Sequence, residues 1–132
     1  YIFGDTFLKH TQEQQIPIIN LHPALLTPND SNIIATSRGK IPVIRGTHAY
    51  EDAYRQNLPV SGITIHQVLP NSIFDTGPIV MNAEVRRKSD DTLESWEKKI
   101  HEKEYMIFPT ALKRVLHILQ NDIDISKGEY PW

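Results

Sequence analysis

Ile16-Pro17-Ile18-Ile19-Asn20-Leu21-His22-Pro23 sets three isoleucines and a leucine within six residues and then ends in a histidine and a proline. Its apolar and β-branched positions predict a short strand over 16–21, of the kind buried on both faces in a parallel sheet. Pro23 cannot continue a ladder, so the strand is expected to stop before it. Residues two apart on a strand share a side. Asn20 and His22 then project together at the carboxyl end of a central strand, the rim where open α/β sheets bind ligands. An amide and an imidazole side by side can hold a carbonyl oxygen that becomes an oxyanion. Taken alone, the same pair also reads as a turn former and an ordinary loop histidine.

A second block, Asp75-Thr76-Gly77-Pro78-Ile79-Val80, favours the first of these readings. Asp75 falls in a loop between two predicted strands. It is either a turn former or a carboxylate that faces His22, favours its charged form and accepts or orients a proton. The strand before it, Val60 to Val68, has β-branched residues on both faces and suits an internal position. The strand after it, Ile79 to Val85, alternates apolar and polar and is expected antiparallel to that neighbour. His66 lies near the end of the first strand with Thr64 on its face. It is a candidate for substrate contact, although a semi-buried histidine with satisfied partners fits as well. His48 opens a helix over 48–56 behind Thr47, where backbone amides can take an anionic group; capping alone accounts for it equally.

The rest of the chain frames these blocks. A short polar helix is expected over 7–15, capped by Asp5 or Thr6. Residues 27–45 form a long polar connector, read as a lid-like insert over the cleft, with a hairpin of 33–36 and 41–44 around Ser37-Arg38-Gly39-Lys40. Arg86-Arg87-Lys88 and Asp90-Asp91 read as a solvated turn. Asp91-Thr92-Leu93-Glu94 resembles a capping box. Behind it Leu93, Trp96, Ile100, Ile107, Ala111, Leu112, Val115 and Leu119 recur at helical spacing, and Pro109 should kink or split that helix. Residues 1–120 form one catalytic portion and 121–132 a polar tail.

Composition narrows the function classes. With a net charge of −2, there is no general electrostatic case for nucleic acid or a membrane surface. The absence of cysteine excludes a disulfide scaffold and a thiolate metal site. No run approaches the ~18 apolar residues of a membrane span. His22, His48, His66 and Asp75 lack the spacings of a strong metal motif, so no metal is expected. The start at Tyr1, in what reads as mid-structure, suggests a piece of a longer protein. An upstream fragment, or a second copy in a homodimer, is then expected to complete the sheet.

Taken in order, "IINLHPALL", "RGTHAYEDA", "VSGITIHQV", "FDTGPIV" and "DDTLESWEKKIHEKEY" resemble the C-terminal half of the folate-dependent formyltransferases. His66 in "TIHQV" and the "GTHA" block are similar to the branch that formylates glycinamide ribonucleotide rather than methionyl-tRNA. The resemblance implies an α/β, Rossmann-like fold, here the C-terminal portion of the sheet with a long C-terminal helix. It implies 10-formyltetrahydrofolate as co-substrate, an amine-bearing ribonucleotide as acceptor and a cytoplasmic location. By matching positions, Asn20, His22 and Asp75 would be catalytic, and Tyr1, Ile2, Phe3, Asn71, Ser72, Ile73 and Phe74 would line the pteridine pocket. The connector at 27–45 is longer than the family's usual link, which leaves the acceptor open. A sugar nucleotide or charged tRNA as acceptor, hydrolysis of the formyl donor, and a non-catalytic binding module stand as alternatives.

Overall fold

The computed structural model describes residues 4–70 and 77–121. In chain order the elements are α1 (Asp5–Glu13), β1 (Ile19–His22), β2 (Ile33–Thr36), β3 (Gly39–Pro42), α2 (Ala49–Arg55), β4 (Val60–Gln67), β5 (Ile79–Arg86) and α3 (Leu93–Gln120). Strands β1, β4 and β5 form one sheet in the order β1-β4-β5, and β2 and β3 form a separate hairpin.

The strand expected over 16–21 is differently placed in the fold. It starts at Ile19 rather than Ile16, runs antiparallel to β4 and lies at one edge of the described sheet. Pro17 has no N–H to give a ladder, so the pairing begins only where the Ile18 carbonyl accepts from Val68 N at 2.8 Å. A short apolar run reads the same in parallel and antiparallel sheets, because burial sets its composition and direction does not. His22 stays inside the ladder, so Asn20 and His22 sit within β1 and not beyond it.

Strand β4 is the internal strand, as its two-faced pattern predicts, and all eight of its residues are buried. It pairs antiparallel with β5, also as expected. Gly62 permits this approach: a Cβ there would lie 2.1 Å from the Ala83 carbonyl oxygen and 2.7 Å from Leu25 Cδ2.

The helices begin and end by rules the sequence only partly shows. α1 starts two residues early, with Gly4 as its N-cap, so Asp5 and Thr6 lie inside the helix. In α2 the N-cap is His48 rather than Thr47, while Ala49 and Ala53 face inward. α3 is capped by Thr92, one residue past Asp91, in a reciprocal box. Thr92 Oγ1 accepts from Ser95 N at 3.1 Å, and Ser95 Oγ accepts from Thr92 N at 2.9 Å. α3 then runs unbroken through Pro109. Proline deprives only the carbonyl four residues back, here that of Tyr105, a residue that is 81% exposed. Its buried stripe is Trp96, Ile100, Ile107, Ala111, Val115 and Ile118. Leu93, Leu112 and Leu119, expected inward, are exposed. Leu112 and Leu119 each follow a buried residue directly, which puts them about 100° round the helix from the stripe.

The turn from β5 to α3 is less solvated than its charges suggest. The Arg87 guanidinium stacks 4.2 Å above the Tyr54 ring and donates to the Tyr54 carbonyl at 2.8 Å. Asp91, with a side chain only 5% exposed, pairs with Lys99 and accepts from Lys88 N and Ser95 Oγ. The Lys99 hydrogen bond, helped by the Lys88 amide, holds its carboxyl at about 2. A depressed carboxyl stabilises the fold above its unfolded value and loses that contribution as pH falls through about 4 toward 2. Solvent around the partly exposed Lys99 leaves a contribution of about 1 kcal/mol. Asp91→Asn should therefore lower the urea midpoint at pH 7, and the gap from the parent should narrow as pH falls toward 2. A gap that persists unchanged at pH 2 would rule out the ion pair as its cause.

The connector at 27–45 contains the expected hairpin with a tighter turn. Ile33 pairs with Pro42 and Thr36 with Gly39, leaving Ser37-Arg38 at the tip. Gly39, at φ +99, takes the left-handed conformation the reversal needs. Ile41 is buried in the core, and the tip reaches β5, where Ser37 N and Oγ donate to the Glu84 carboxylate. Those two hydrogen bonds hold the Glu84 carboxyl below the usual carboxylate range.

Candidate active site

The pairing of β1 with β4 builds a polar row. Asn20 lies opposite His66 and His22 opposite Thr64, and residues two apart on each strand share a face. On β5, Asn82 continues the row opposite Thr64.

Four of the five side chains in the row have a defined hydrogen-bond partner. His22 is buried, and its Nε2 lies 2.7 Å from the Ile44 carbonyl oxygen. A carbonyl only accepts, so Nε2 carries a proton and donates. Ile44 closes the long connector, so the end of that insert sets the ring of His22. Thr64, fully buried, donates from Oγ1 to the Ala24 carbonyl and accepts from Leu26 N, both at 2.9 Å. Its hydroxyl thereby pins the Pro23–Leu26 segment directly after His22. Asn20 is exposed on β1, and its Nδ2 lies 3.2 Å from Nε2 of the buried His66. The row thus offers an amide and an imidazole on one face, two groups able to donate to an oxyanion.

The strand pairing puts Asn20 opposite His66, with His22 two residues along the same strand. His48 is not bonded to them: it is exposed at the start of α2, and its Nδ1 lies 2.9 Å from Glu51 of the same helix. Asp75 lies outside the described residues, as do Tyr1, Ile2, Phe3, Asn71, Ser72, Ile73 and Phe74. The block that carries Asp75 does have a described anchor. Pro78 accepts from Gln67 N at 2.8 Å, and a Cβ on Gly77 would fall 1.6 Å from the Gln67 carbonyl oxygen and 3.4 Å from His66 Nδ1. The glycine of that block therefore packs against the end of β4 that bears His66. Among the described residues no three His, Cys, Asp or Glu side chains gather as a metal site.

The amino-acid sequence does not signal the roles of Thr64 and the Ile44 carbonyl. Period-two spacing puts Thr64 on the face of His66, but its partners come from a loop far away in the chain, and no local pattern signals a backbone carbonyl.

The profile of the formyl transferase family matches residues 2–112. The phosphoribosylglycinamide formyltransferase of Bacillus subtilis is 34% identical over 115 residues, covering 87% of this chain and 49% of the relative. The crystal structure of the phosphoribosylglycinamide formyltransferase from Anaplasma phagocytophilum superposes with a TM-score of 0.71 at 28% identity, over 98% of this chain and 52% of that one. Its Streptococcus pneumoniae counterpart superposes at 0.68 with 33% identity, over 88% of this chain and 53% of that one. The chain spans about half the length of the relatives it matches. It shares their α/β fold, with the sheet and the long C-terminal helix in common. On the strength of a match that runs through β1, β4, β5 and most of α3, the chain belongs to the formyl transferase family.

Proposed function

We propose that this chain contributes the Asn20–His22 side of a site that transfers a formyl group from 10-formyltetrahydrofolate to the primary amine of glycinamide ribonucleotide. The observation that carries the reading is the row itself: an exposed amide at Asn20 beside His22, whose ring is fixed by the Ile44 carbonyl. The names of the relatives that cover most of this chain support the acceptor.

In this reading the amine nitrogen attacks the formyl carbon, and the carbonyl oxygen becomes an oxyanion. Asn20 donates an N–H to it and His22 offsets its charge, an interaction that grows as the charge develops. The bond from the formyl carbon to N10 of the folate then breaks, and a proton passes from the amine to N10. Asp75 is assigned to that transfer, acting on His22 and through a water. Tyr1 to Phe3 and Asn71 to Phe74 are assigned to the pteridine, and His48 to the ribonucleotide; these are assignments by family position.

The test uses the complete protein, with donor consumption followed with and without glycinamide ribonucleotide. Acceptor-dependent formation of formylglycinamide ribonucleotide, lost in His22→Ala, is the expected result. Donor consumption that proceeds equally without the amine would instead make the protein a hydrolase.

A further inference from the structure

Asparagine is an ambiguous oxyanion donor, because its amide has a nitrogen end that attracts the developing charge and an oxygen end that repels it. Asn20 is exposed on an edge strand of the described sheet, so packing does not choose between the two. We propose that His66 is a positioning residue that makes this choice, holding the Asn20 amide with its nitrogen on the face that carries His22.

Three observations place His66 in that role. It is buried on the internal strand β4, where even a Cβ added at Gly77 would come within 3.4 Å of its Nδ1, so its ring has little room to turn. Its Nδ1 lies 3.3 Å from the Gln67 carbonyl oxygen, which only accepts, so the proton of the neutral ring belongs on Nδ1. Nε2 is then an acceptor, and it faces Asn20 Nδ2 at 3.2 Å across the directly opposed pair Asn20–His66. One N–H of the amide goes to His66. The other, on the same nitrogen, is left for the oxyanion, and Oδ1 is turned to the far end. The opposite tautomer would draw Oδ1 toward His66 and put a repelling oxygen in the row. His66 thus acts on the reaction through Asn20 and needs no contact with substrate. This inference rests on the formyl-transfer reading for its consequence in turnover, but its geometric content stands apart from it.

The experiment has two arms on the complete protein. In the first, 15N-histidine NMR reads the His66 tautomer in the parent and in Asn20→Ala. A proton on Nδ1, with an Nε2 resonance that moves when Asn20 is truncated, is expected. A proton on Nε2, or an Nε2 resonance indifferent to Asn20, overturns the proposal whether or not the protein transfers formyl groups. In the second, His66→Leu should lower kcat about tenfold with KM for the formyl donor held within about twofold. His66→Gln, which keeps an acceptor near the position of Nε2, should recover most of that loss. In the Asn20→Ala background His66→Leu should cost nothing further, since the residue it positions is gone. The same factor lost in both backgrounds would show that His66 acts by itself, and the proposal would fall. An inactive parent would defeat the formyl-transfer reading and leave the tautomer to decide the positioning.

Discussion

Replacing Asn20 by alanine in the complete protein is expected to lower turnover by about 10²–10³-fold, equivalent to about 2.7–4 kcal/mol of transition-state stabilisation. The size follows from where the amide acts. A neutral formyl oxygen makes a modest hydrogen bond to it, and an oxyanion makes a much stronger one, so the loss appears in kcat. Binding of the formyl donor should change little, with KM within about twofold. Stability should also change little, because Asn20 is exposed and water can take its place against His66. The measurement is steady-state formyl transfer beside a urea unfolding curve for each protein. Turnover near that of the parent would leave Asn20 as a strand residue whose amide serves only to satisfy His66. The row would then be a binding surface and not a catalytic one.

How far the sequence shows all this depends on the range of each interaction. Period-two spacing places Asn20 with His22, and Thr64 with His66, because side-chain direction along a strand is a local property. The internal position of β4 follows in the same way from β-branched residues on both of its faces. The direction of β1 does not follow, since an apolar run records burial and carries no mark of its partner. The caps show a similar limit. Asp91 and Thr92 are both good N-caps, and a tertiary partner decides between them: Lys99 and the Lys88 amide engage Asp91, leaving Thr92 for Ser95. Along α3 the apolar periodicity is legible, yet Leu112 and Leu119 sit beside buried neighbours, so the exact stripe depends on what packs against it. In the site, the tether from His22 to Ile44 and that from Thr64 to Ala24 and Leu26 join residues distant in the chain through backbone atoms. Backbone atoms are the same at every position, so a sequence gives no sign of which carbonyl will serve.

Gly77 is where the sequence motif, the sheet and the site meet, and Gly77→Ala should be the most disruptive small substitution near them. A Cβ there would lie 1.6 Å from the Gln67 carbonyl oxygen and 2.9 Å from its carbonyl carbon. Those are backbone atoms at the end of the internal strand, so no side chain can swing aside to make room. Either β4 or the chain entering β5 must move, and the Gln67 N to Pro78 O hydrogen bond lies in the path of that movement. Overpacking of a tight site costs about 1–3 kcal/mol where side chains can adjust, and a backbone collision belongs at or above the upper end, about 3 kcal/mol. The contrast is Gly39, which also favours glycine but for another reason. Its φ of +99 strains an alanine, yet nothing lies within 4 Å of a Cβ there, so Gly39→Ala should cost only about 1–2 kcal/mol. The two also differ in what they do to turnover. Gly39 lies in the hairpin turn, whereas movement at Gly77 displaces His66, and with it the amide of Asn20 across the strand pair. Gly77→Ala in the complete protein should therefore lose both urea stability and kcat, while Gly39→Ala loses a smaller amount of stability alone. A Gly77→Ala protein with the urea midpoint of the parent would show that this approach of the two strands relaxes without cost, and that Gly77 is no more than a convenient turn residue.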